Sequence, residues 1–124
     1  MLHLAYLWIP VHLALRALAE LGVVAPSSAT HALSVGAAGG LIVGMTRTTR
    51  GHTGRPLLAD RFDAACFVLV LLAAAVRVGV PLFSHAHIVP AVSGSAALWS
   101  AGFGLFAVRY WPALPLARLD GRPG

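Results

Sequence analysis

Apolar residues in this chain neither alternate with polar ones nor recur at helical spacing between charged faces. They run on almost unbroken in four stretches, over residues 2–24, 30–46, 62–80 and 88–110. Each stretch is close to the roughly 20 residues that an α-helix needs to cross about 30 Å of hydrocarbon. The breaks between them are turn formers: Ala25, Pro26, Ser27 and Ser28 after the first, Pro81 after the third and Pro112 after the fourth. Strands do not suit the pattern, because barrel strands alternate and cross in roughly 9–11 residues, and open sheet edges are excluded from lipid. The expected fold class is therefore all-α, a polytopic transmembrane helical bundle of four spans forming one domain over residues 1–124. The second stretch is the shortest, which favours little tilt.

Composition strengthens this picture. Hydrophobic residues make up 58% of the chain and charged residues 10%, against roughly 25% charged in an ordinary soluble domain. So much apolar surface calls for a lipid bilayer as partner. The first stretch does not read as a signal peptide, since it has no basic leader and three more spans follow it. The single cysteine, Cys66, lies inside an apolar run and reads as a small buried hydrophobe.

Charge gives the orientation. The net charge of +5 rests on nine arginines, with no lysine. Arg47, Arg50, Arg55 and Arg61 lie between the second and third spans, and Arg109, Arg118 and Arg122 lie at the C-terminal end. Residues 25–29 and 81–87 hold none. The positive-inside rule then places both termini and the central loop in the cytoplasm. No basic run is interleaved with aromatic residues as a single-strand groove requires, so nucleic acid is not an expected partner.

Small residues suggest where helices touch. Gly36, Gly40 and Gly44 recur at four-residue intervals with Gly39 beside them, and Ser93, Ala97 and Ala101 repeat the spacing in the fourth span. Such faces permit close backbone approach, to another helix of this chain or of another membrane subunit, a homo-oligomer included. Pro10 removes the helical donor for the Tyr6 carbonyl and predicts a kink. Trp8, Trp99 and Trp111, with Tyr6 and Tyr110, read as interfacial aromatic belts.

Polar groups within the spans carry the candidate chemistry. His12, Arg16 and Glu20 form one stripe at four-residue spacing. Glu20 either pairs with Arg16 in its own helix or with Arg77 across helices. Six histidines are present, and imidazole is a common ligand of haem iron and copper. By depth, His3 can face His52, or His31 can face His85 or His87. His85 and His87 alone carry no diagnostic metal spacing. Nothing resembles a nucleophile–base pair, a phosphate loop or a carboxylate dyad, which argues against hydrolase and kinase chemistry.

One stretch is more specific. His31, Ala32 and Leu33 open a helix that passes through Met45, Thr46 and Arg47 into Gly51, His52, Thr53, Gly54, Arg55, Pro56 and Leu57. This resembles the signature region of the NnrS family of membrane proteins. The opening through His3, Tyr6 and Trp8 resembles the start of the preceding family helix, and the tail from Arg109 to Gly121 resembles the family's C-terminus. The resemblance covers essentially this whole chain and corresponds to the C-terminal third of longer family members. It implies a bacterial inner-membrane protein of the nitric-oxide response, associated with haem and/or copper and not itself an enzyme. It marks His31, His52 and His3 as candidate haem or copper ligands, and Arg47 and Arg55 as candidate partners of haem propionates. The alternatives are a haem-bearing electron-transfer subunit, or a non-catalytic helical element packed with partner membrane subunits.

Overall fold

The computed structural model describes the backbone of residues 1–51 and 60–113, and their side chains except at residues 46–51, 85 and 113. Among the described residues every regular element is helical. Span one is α1 (Leu2–Tyr6) followed by α2 (Trp8–Glu20). Span two is α3 (Pro26–His31), a π-helical segment (Ala32–Ala38) and α4 (Gly39–Gly51). Spans three and four are α5 (Arg61–Phe83) and α6 (Ile88–Tyr110). Four of these helical rods are long and apolar enough to cross a membrane, so the four-span helical bundle is the observed architecture.

Several boundaries differ from the apolar runs, for local reasons. Span one stops at Glu20 and not at residue 24, because Gly22 adopts φ 72°. The Gly22 N–H donates to Ala19 and the Val23 N–H to Leu18, both at 3.0 Å, closing the helix with the paired bonds that a glycine in the left-handed region allows. Span two begins earlier than expected, with Pro26 in its first turn, where a missing N–H leaves no bond unmade. Pro81 does not end span three, which continues to Phe83. The Pro81 ring leaves the Arg77 carbonyl without its helical donor, and so close to the helix end that single loss does not stop the last turn from completing. The interruption at Leu7 lies three residues before Pro10, where the proline ring forces a kink.

Span two is central. Half of its apolar window is buried, 50% against 11% for span one. Its glycine stripe receives span one of the same chain. A Cβ on Gly36 would overlap the Trp8 indole, one on Gly40 would lie 2.9 Å from the Ala5 Cβ, and one on Gly44 would lie 2.9 Å from Leu2 Cδ2. Trp8 is thus a packing residue at this crossing. Around Ala5, Val43, Cys66, Phe67 and Val70 the spans share one core, with Cys66 1% exposed. A second cluster joins Leu15, Ala29, Ala32 and Val78 nearer the opposite end.

The face that α6 turns inward is not the expected one. Ser93, Ala97 and Ala101 are exposed. Ala91, Ser95, Gly102 and Tyr110 are buried against α5 instead. The Ser95 hydroxyl donates to the Ala73 carbonyl at 2.9 Å, and a Cβ on Gly102 would meet the Cys66 carbonyl oxygen at 3.2 Å. Two aromatic residues also leave the expected belts. Tyr110 is buried and donates to Asp63 Oδ1 at 2.8 Å, and Trp99 lies midway along α6, its ring 4.3 Å from that of Phe103.

Candidate functional site

The bundle has two ends. The terminal end gathers Leu2, Gly44, Asp60 and Tyr110; the hairpin end carries the connections at residues 21–25 and 84–87. At the terminal end Asp60 caps α5 by accepting from the Asp63 N–H at 2.8 Å, and it pairs with Arg109 at 2.6 Å. That backbone N–H, together with the Arg109 guanidinium, holds the Asp60 carboxyl below its ordinary range. Arg109 also lies over the Phe62 ring, 5.7 Å from its centre. Asp63 is buried beside this pair, and its Oδ2 finds no hydrogen-bond partner.

Toward the hairpin end, His12 on α2 reaches across to α3, and His31 is the residue directly before the π-helical segment. The His12 ring meets the Ala29 carbonyl at 2.7 Å. Since a carbonyl only accepts, Nδ1 carries the hydrogen and donates. Ser34 Oγ donates to the Thr30 carbonyl at 2.9 Å. Two carbonyls leading into the π turns thus gain side-chain donors where the helical register changes, and π turns are frequent at functional sites. Sequence spacing gave no sign of this segment.

His31 ends α3 immediately before the π turns and is half-buried. Two cavities meet at His31 and Arg77. One, of about 180 Å³, lies toward the hairpin end between Ser27, Ser28, His31, Arg77, Pro81 and Ile88, among others. The second, of about 250 Å³, is lined by His31, Val35, Arg77, Ser95 and Trp99, among others. Trp99 and Ser28 thus join the site without having been singled out by their spacing. Arg77 does not pair with Glu20, whose carboxylate takes Arg16 at 3.0 Å within α2. The four-residue spacing on one helix brings that pair together at no cost in helix geometry.

The other expected ligands are scattered. His3 is exposed on α1 at the terminal end, where Leu2 meets Gly44. His31 precedes Gly44 by thirteen positions on the same rod, roughly 20 Å at 1.5 Å per residue. His3 and His31 therefore cannot ligate one metal. His87 is exposed and its Nδ1 lies 2.7 Å from Ser84 Oγ. Arg47 lies on α4 without a described side chain, and His52 and Arg55 lie outside the described residues. Among the described residues no three His, Cys, Asp or Glu side chains gather as a metal site.

Haem and copper can be tested against this arrangement. Pockets for drug-sized ligands span roughly 300–1,000 Å³, and each cavity at His31 is smaller. A macrocycle does not fit there. Copper sites commonly take several nitrogen or sulfur ligands, and among the described residues His31 alone brings an imidazole to the two cavities. The described residues offer an open imidazole and space for a small ligand or ion, and a fuller donor set needs residues outside them. Compared with models of protein families, the chain matches the one described as NnrS protein over residues 1–118, all four helices included. Neither curated proteins nor solved structures give a match.

Proposed function

The chain belongs to the NnrS family, and on that footing we propose that it is a multi-pass protein of the bacterial inner membrane acting in the response to nitric oxide, with haem and/or copper as its associated group. Family membership carries the role in that response. The cofactor reading draws on the placement of the motif histidines. His3 stands at the terminal end, and His52, Arg47 and Arg55 follow in or just beyond α4, which runs to that same end. A haem at the terminal end would be held by His3 and His52, with Arg47 and Arg55 supplying positive charge to its carboxylates. His31 would give one donor to a copper ion whose other ligands lie outside the described residues, or would meet a small neutral ligand in its cavities. The group would supply a metal at which a diatomic molecule binds; the chain's own contribution is an apolar bundle that keeps bulk water from it.

The test is an absorption spectrum and a metal analysis of the full chain purified in detergent. A Soret band that His52→Ala abolishes and His31→Ala leaves in place supports the assignment of haem to the terminal end. Copper lost on His31→Ala supports the second assignment. A colourless, copper-free protein after expression with haem and copper supplied would overturn the cofactor reading and leave packing among membrane helices as its role.

A further inference from the structure

Among the described residues, Arg77 is a cation inside a span that no carboxylate balances. The chain has four acidic residues. Glu20 is taken by Arg16, Asp60 by Arg109, Asp63 receives Tyr110 at the terminal end, and Asp120 lies outside the described residues. No described carboxylate pairs with Arg77. Yet Arg77 sits within a membrane-spanning helix, six residues before its end at Phe83, where an isolated cation is costly and ordinarily meets a partner or a cavity. Here it meets both cavities.

The walls of the cavity at the hairpin end fit a negative guest. Among the described residues its polar side chains are Ser27, Ser28, His31 and Arg77, each able to donate a hydrogen bond, and none of them is a carboxylate. Ser28 is 4% exposed, so the donor set is built into the bundle and not only its surface. Val24, Leu82, Ile88 and Val92 supply apolar walls, which weaken solvent screening and strengthen attraction to a fixed cation. The volume of about 180 Å³ equals roughly six waters at their liquid share of about 30 Å³, enough for one oxyanion and some hydration.

We propose that Arg77, with Ser28 and His31, forms a binding site for a single phosphate-like oxyanion, either a free inorganic ion or the headgroup of an anionic lipid. A guanidinium offers two parallel donors to such a group. The site shares His31 with the cofactor reading but rests on Arg77 and needs no metal, so metal-free protein tests it separately.

The experiment uses the full chain, stripped of lipid in detergent and kept in chelator so that no metal contributes. Its melting temperature is followed as sodium phosphate replaces sodium chloride at constant ionic strength, and again in nanodiscs of phosphatidylcholine with or without phosphatidylglycerol. A saturable rise with phosphate identifies a free anion; a rise only with phosphatidylglycerol identifies a headgroup. In either case Arg77→Gln weakens the response about tenfold or more, as expected for losing a charge-assisted hydrogen bond. Arg77→Lys retains part of it, and Arg16→Gln responds as the unaltered chain does. Native mass spectrometry counts one bound anion or lipid fewer in Arg77→Gln. An unaltered chain that responds to neither anion, or an Arg77→Gln chain that binds as well as the original, overturns the proposal.

Discussion

Asp60 and Asp63 are three positions apart and do different work. Asp60 is solvent-exposed, caps α5 and is held below its ordinary acidity range, chiefly by the Asp63 N–H and then by Arg109. A carboxylate whose folded pKa is depressed adds stability above its unfolded pKa, near 3.8 here, and loses it as the pH falls toward the folded value. The melting temperature should therefore drop as the pH is lowered from about 5 to about 3. Asp60→Asn, which still caps the helix, should flatten part of that drop. Asp63 is buried; its Oδ1 accepts from Tyr110, and its Oδ2 has no hydrogen-bond partner among the described residues. Removing the hydroxyl in Tyr110→Phe should destabilise the fold by about 1–3 kcal/mol, the range for stranding a buried polar atom. Denaturant titration in mixed micelles measures it, and an unchanged midpoint would show that this contact contributes nothing. Residue types alone foretold none of this pairing: Arg109 lies 49 positions from Asp60 and Tyr110 lies 47 from Asp63, and they meet only because α5 and α6 are antiparallel.

Among the elements, the glycine stripe of span two makes a discriminating test. Gly40→Val must push the Ala5 and Leu71 side chains aside, and an overpacked contact of this kind should lower stability by about 1–3 kcal/mol. Gly94→Ala meets nothing within 4 Å and should be neutral or raise stability by up to about 1 kcal/mol through helix propensity. Melting of the two variants side by side checks the contrast. The helices themselves were legible because hydropathy alone decides what lies in lipid. The stripe at Gly36, Gly40 and Gly44 was legible for a different reason, since so many unsubstituted positions on one face leave room for a backbone. On α6 the same spacing misled: Ser93, Ala97 and Ala101 form one small-residue face, but Ala91, Ser95 and Gly102 form another, and only the tertiary fit to Ala73 and Cys66 chooses between them. The π turns left no sign in the spacing, and the contact just before them joins His12 to Ala29, seventeen positions away.

For the whole molecule, the arginine bias gives a topology that can be read directly. Reporter fusions at the C-terminus and in the loop between α4 and α5 should report cytoplasm, while a reporter inserted between Ser84 and Ile88 should report the opposite compartment. A periplasmic signal from the arginine-rich loop would reverse the bundle and with it the side from which the Arg77 cavity is entered. The candidate site was only partly legible. His31 stood out by its motif, but its neighbour Arg77 came from a span whose partner could not be chosen from depth alone, and Trp99 looked like an interfacial residue until α6 was in place.

The α5–α6 pair is closed at both ends, by the peptide chain through residues 84–87 and by the Arg109–Asp60 and Tyr110–Asp63 contacts opposite. Spans one and two are joined by residues 21–25, by the His12–Ala29 hydrogen bond and by the fit of Leu2, Ala5 and Trp8 along the glycine stripe. A single molecule drawn from a bilayer by its N-terminus should therefore leave in two stages, the first pair at low force and the clasped pair at a higher one. Severing the clasp with Arg109→Ala and Tyr110→Phe together should bring the two force peaks closer.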